Sequence, residues 1–187
     1  NWKRPAKEVR TLFRLLFLAL KREVHDLHKQ GVQLNVIGDL SQLPAAIQKA
    51  AQLAHDITHQ NDKLILNILV NYSGRWDILQ AVKQVVMSKD ATPENCEQLF
   101  QSYLCFSHLP EPDLLIRTAG VQRLSNFMLW DLAYTELYFT KTYWPDFNEQ
   151  HFSEALNFYA ERERRFGLTS EQVEQFVEDD LPCVILE

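Results

Sequence analysis

Two arginines and a serine, Arg117, Arg123 and Ser125, lie in the stretch Arg117-Thr118-Ala119-Gly120-Val121-Gln122-Arg123-Leu124-Ser125-Asn126, directly after the apolar triplet Leu114-Leu115-Ile116. Guanidinium forks and hydroxyls match phosphate oxygens, so this loop can clamp a diphosphate. An arginine pair bonded to surface carboxylates fits the same residues, and residue chemistry alone leaves both readings open. Two further polar clusters follow apolar runs: Gly38-Asp39 with Ser41, and Asn71-Tyr72-Ser73-Gly74-Arg75. Ligands of parallel α/β sheets sit at the carboxyl ends of the strands, so the site is expected along that edge. His55-Asp56-Ile57-Thr58-His59 imitates the HExxH zinc helix, but a protease also needs a third ligand and a glutamate base. The pair is read as two partly exposed helical histidines, as are His25 and His28.

The elements that must hold these residues alternate in type. After Pro5, apolar residues from Val9 to Leu27 recur at three- and four-residue spacing until Gly31, which predicts a long amphipathic helix. Leu15, Phe17 and Leu18 widen its apolar face. Val32 to Ile37 alternates as a strand, and Leu43 to Gln60 returns to helical spacing. Leu64 to Val70, broken only by Asn67, predicts a central strand covered on both faces. Helices over Arg75 to Val86 and Glu94 to Tyr103 precede strands at Leu114 to Ile116 and Leu137 to Phe139. A helix is expected from Glu149 to Arg165, ending at Gly167, and a last acidic one from Ser170 to Val177. Such alternation with short connections implies a parallel sheet flanked by helices in one α/β domain, with residues 168–187 as an acidic tail.

Composition sets outer bounds. With 187 residues, 46% of them hydrophobic, the chain can bury a core and is expected to be soluble. A net charge of −6 argues against a nucleic-acid binder, which needs excess lysine and arginine to displace counterions. Cys96, Cys105 and Cys183 form no CxxC pair, so a reducing cytoplasm fits better than a disulfide framework. No apolar run approaches the roughly 20 residues that span a bilayer.

Several stretches together resemble the cis-prenyltransferases of the undecaprenyl diphosphate synthase kind. They are Asn1-Trp2-Lys3-Arg4-Pro5 with Glu8, Ile37-Gly38-Asp39, Asn71 to Asp77, Asp113 to Asn126, Trp130 to Phe139, Trp144-Pro145-Asp146-Phe147, and Arg162 to Gly167. The resemblance implies elongation of an allylic diphosphate, such as farnesyl diphosphate, by isopentenyl diphosphate to a long-chain polyprenyl lipid-carrier precursor. It implies that Arg117, Arg123 and Ser125 bind the isopentenyl diphosphate, and that Glu136 helps hold Mg²⁺. Asn1, Trp2, Arg4 and Glu8 match a mobile loop in which the Asn and Arg orient that substrate and assist its proton loss. Arg165 and Gly167 match an element reaching a partner subunit's substrate. A homodimer, contact with the cytoplasmic membrane face and a hydrophobic tunnel lined by the first helix and Leu64 to Val70 are implied as well.

The chain departs from the family pattern in places. An Asp-Gly-Asn phosphate loop on a first strand is expected ahead of Asn1, and without it the 187 residues are expected to be inactive alone. Val121 and Gln122 replace a Glu-His pair, exchanging a metal-binding imidazole for an amide, and Ser73 replaces a common glycine. These departures keep a second reading alive: a non-catalytic homologue acting as a binding subunit. An all-helical trans-prenyltransferase is disfavoured, because Asp179-Asp180-Leu181-Pro182-Cys183 breaks DDxxD at its last position. No GxxxxGK or GxGxxG turn supports a nucleotide site.

Overall fold

The computed structural model describes residues 5–162 and the backbone of residues 184–186. Two compact units divide the chain, Asn1–Asp77 and Ile78–Glu187.

The first unit opens with α1 (Ala6–Gln30), which Gly31 terminates in a left-handed conformation at φ 79°, its N–H turned back to the Leu27 and His28 carbonyls. β1 (Val32–Ile37) and β2 (Leu64–Leu69) pair in parallel, with Val32 opposite Leu64 and Ile37 opposite Leu69. Between them runs α2 (Ala45–Thr58). Leu20 and Val24 of α1, Leu34 of β1, and Ile47, Ala51 and Ala54 of α2 form the buried core, with Ile68 and Val70 packed against it. On the side of β1 away from β2, the Thr58 hydroxyl accepts from the Leu34 amide at 2.9 Å and donates to the Ala54 carbonyl at 2.7 Å. Asn61 Nδ2 donates to the Val32 carbonyl at 2.7 Å.

β2 differs from its expected place as a central strand. Among the described residues it pairs only with β1, and Leu64, Ile65 and Leu66 are 58%, 42% and 36% exposed. An unbroken apolar run specifies a strand wanting cover on both faces; it does not specify what provides the cover.

α3 (Gly74–Met87) begins in the first unit and continues into the second. Its start is capped by Ser73, whose hydroxyl accepts from the Trp76 amide at 3.3 Å while its carbonyl accepts from the Asp77 amide at 3.0 Å. In the second unit α4 (Cys96–Ser102) leads to β3 (Leu114–Arg117), and β4 (Glu136–Phe139) precedes α5 (Glu149–Ala160). β3 pairs in parallel with β4 on one side and with β5 (Val184–Leu186) on the other. Leu114 and Ile116 are fully buried against Ala155, Phe152 and Leu156 of α5. α5 starts in a capping box in which Asn148 accepts from the Gln150 and His151 amides. It ends at Ala160, short of the expected Arg165. The expected helix over Ser170 to Val177 lies outside the described residues, and the end of the expected acidic tail forms β5.

Candidate active site

The carboxyl end of each parallel pair carries a polar cluster. At the β1–β2 exit, Gly38 has φ +135° and presses against the Val70 carbonyl. Beyond it the Asn71 side chain donates to the Asp39 carbonyl at 2.9 Å, and the Asp39 amide donates to the Asn71 carbonyl at 3.4 Å. Asp39 also accepts from the Ser41 amide at 3.2 Å and from its hydroxyl. Asn71 has φ 52°, a left-handed value asparagine tolerates better than most residues. One turn on, Asp77 is 1% exposed and accepts from the Tyr72 hydroxyl at 3.0 Å. Tyr72 stands edge-on to Trp76, ring centroids 6.0 Å apart.

At the β3–β4 exit, Arg117 closes β3 and folds its guanidinium back into the following loop. Nη1 donates to the Arg123 carbonyl and Nη2 to the Ser125 hydroxyl, the latter at 3.0 Å. The strand pairing continues past the formal strand ends: the Thr140 amide donates to the Arg117 carbonyl at 3.0 Å, and the Ala119 and Gly120 amides donate to the Thr142 and Thr140 carbonyls at 2.8 Å. Ala119, Gly120, Ser125, Asn126 and Met128 all have positive φ. So many non-glycine residues in left-handed backbone mark a loop whose shape is imposed by its contacts, as is common where a ligand is gripped. Arg123, Ser125 and Gln122 are exposed.

Arg117, Ser125 and the Arg123 backbone are thus brought together as one unit. Glu136 is held elsewhere in the pairing: it opens β4 opposite Leu114, at the strand end remote from Arg117. Its negative charge faces α5, where burial first and Glu136 second push the Tyr159 hydroxyl above its ordinary pKa. Glu8 is exposed in the first turn of α1, where a carboxylate complements the helix dipole. Asn1, Trp2, Arg4, Arg165 and Gly167 lie outside the described residues.

Among the described residues no three His, Cys, Asp or Glu side chains converge on a common point. The donors therefore do not form a ready-made protein cage. Ser73 has negative φ, so the side chain replacing a glycine is unstrained and adds a helix cap. Sequence reasoning missed the Tyr72–Asp77 bond and the Thr140–Thr142 extension, whose only signal was threonine and tyrosine near strand exits.

This architecture and polar edge coincide with a known enzyme class. The family described as putative undecaprenyl diphosphate synthase matches residues 1–167. The chain belongs to that family, the cis-prenyltransferases. A ditrans,polycis-undecaprenyl-diphosphate synthase of Coxiella burnetii, described as farnesyl-diphosphate specific, is 54% identical over 179 residues, covering 94% of this chain and 76% of the relative. The corresponding synthase of Aliivibrio fischeri is 46% identical over 183 residues, covering 96% and 71%. Among solved structures, lavandulyl diphosphate synthase from Lavandula x intermedia in complex with dimethylallyl diphosphate superposes with TM-score 0.85 at 38% identity, covering 89% of this chain and 74% of that one. A probable undecaprenyl diphosphate synthase from Campylobacter jejuni gives TM-score 0.80 at 34% identity, covering 89% and 78%.

Proposed function

We propose that this cis-prenyltransferase extends farnesyl diphosphate with isopentenyl diphosphate units to an undecaprenyl-type lipid-carrier precursor. The observation that supports the reading is the Arg117–Ser125 clasp at the β3 exit, in a chain whose relatives carry that specificity in their names. A guanidinium already oriented by its own loop meets a diphosphate without being immobilised anew, so Arg117, Arg123 and Ser125 supply alignment of isopentenyl diphosphate. Its double bond attacks the allylic C1, the allylic diphosphate departs with the C–O bonding pair, and a proton leaves the new chain. When bound, Mg²⁺ would supply neutralisation of diphosphate charge; Gln122, in the Arg117 loop, would offer it an amide oxygen in place of an imidazole, whereas Glu136, the proposed carboxylate ligand, opens β4 at the strand end away from that loop.

The exposed Leu12 and Leu15 of α1 and Leu64 and Leu66 of β2 offer apolar surface for the growing tail, at about 0.8 kcal/mol per methylene buried. Among the described residues no helix is long and apolar enough to cross a membrane. The reading places the protein in the cytoplasm as a homodimer, touching the membrane face only to release product.

The test is transfer of labelled isopentenyl diphosphate to farnesyl diphosphate, in a chain carrying the Asp-Gly-Asn segment ahead of Asn1, with and without EDTA. Mg²⁺-dependent elongation is expected. Binding of both diphosphates with no transfer would instead identify a binding subunit.

A further inference from the structure

His55 and His59 lie one turn apart on the exposed side of α2, with His59 continuing helical backbone angles at the cap. Their rings stand 5.9 Å apart between centroids, tilted by 34°. The hydrogen bonds around them define both tautomers. Asn35 Nδ2 donates to Asn67 Oδ1 at 2.9 Å across the β1–β2 pair, which turns Asn35 Oδ1 toward His55 Nδ1 at 3.0 Å. An amide oxygen only accepts, so Nδ1 of His55 carries the proton. His59 Nδ1 lies 2.9 Å from the Asp56 carbonyl, another obligate acceptor, and is protonated for the same reason. With Nδ1 occupied in both rings, Nε2 is the nitrogen left over, and neither Nε2 is engaged by any described residue.

We propose that His55 and His59 form a two-histidine chelate for a borderline divalent transition-metal ion such as Zn²⁺ or Ni²⁺. Metal-bound histidines characteristically donate their other ring N–H to a carbonyl or carboxylate, and here both second bonds exist beforehand. At a metal–nitrogen distance of about 2.1 Å, two imidazoles on one tetrahedral ion have centroids about 5 Å apart. The observed centroid separation is 5.9 Å, about 1 Å wider than that. Imidazole selects Zn²⁺, Ni²⁺ and Cu²⁺, whereas Mg²⁺ prefers oxygen, so this site is chemically separate from the diphosphate chemistry. No third protein ligand converges among the described residues, which leaves the remaining positions to water and makes the ion exchangeable. Through Asn35, bound metal ties the last turn of α2 to β1.

Calorimetric titration of the full chain with NiCl₂, in the presence of excess Mg²⁺, tests this. One site is expected, weakened at least about tenfold in His55→Ala and in His59→Ala, and about tenfold in Asn35→Ala, which removes the orienting bond to His55 together with the Asn67 contact. His25→Ala is expected to leave it unchanged. Long-range ¹H–¹⁵N spectra of the metal-free protein should show both rings as Nδ1–H tautomers. Equal affinity in the histidine variants, no binding by the wild type, or Nε2–H tautomers would each overturn the assignment.

Discussion

Gly38 packs so closely on the Val70 carbonyl that a Cβ built there would lie 2.0 Å from the oxygen, with φ at +135°. Backbone cannot yield as a side chain can, so Gly38→Ala is expected to cost about 2–4 kcal/mol in urea denaturation. Gly31→Ala is the contrast. Its Cβ would meet Lys63 Cδ at 2.7 Å, the movable end of a flexible chain, and about 1 kcal/mol is expected from the positive φ. Equal losses for the two would refute the close-approach argument.

Thr58 is fully buried and serves the Leu34 amide and the Ala54 carbonyl at once. Thr58→Val keeps the volume but leaves the Leu34 N–H without its acceptor, at a cost of about 1–3 kcal/mol. Thr58→Ser restores the hydroxyl and should lose about 1 kcal/mol for the methyl group. Chemical denaturation should rank the serine variant above the valine one.

Arg117→Lys removes the planar fork that spans the Arg123 carbonyl and the Ser125 hydroxyl. Losing one charge-assisted bond of roughly 1.5–3 kcal/mol predicts a 10- to 100-fold fall in kcat/KM for isopentenyl diphosphate. Ser125→Ala, which only loosens the clasp, should cost about tenfold or less, mostly in KM. Unchanged steady-state kinetics in Arg117→Lys would remove the loop from the site.

Burial and the Glu136 carboxylate both disfavour the Tyr159 phenolate, raising its pKa above the ordinary 10.0. The folded chain thus holds the proton more tightly than the unfolded chain. The associated stability is complete below the ordinary tyrosine value and is lost as pH climbs through the raised one. Alkaline denaturation should show this decline, and Tyr159→Phe should flatten it. Glu136→Gln should reduce it only in part, because burial is the larger cause.

Local rules made much of this legible. The periodicity of α1 and its stop at Gly31 follow from side-chain spacing and one glycine's freedom, both written in neighbouring residues. Strand exits bearing Arg117 and Asn71 were legible because apolar runs give way abruptly to polar residues. β5 was not, since three apolar residues carry no period, and only pairing with Leu114 to Ile116 makes Val184–Leu186 a strand. Nor could composition reveal that Ser73 caps α3 or that Asn35 orients His55, because each depends on contacts defined by the fold. Glu136 shows the same limit: its position in the chain says nothing of its sitting at the strand end away from Arg117.

The side chains that bond to the outer backbone of β1 also govern how this small sheet can associate. An unguarded strand flank is a template for another chain's backbone. With Thr58 on Leu34 and Asn61 on Val32, the β1 flank is already occupied by its own molecule. A strand approaching that flank would have to displace both of these bonds.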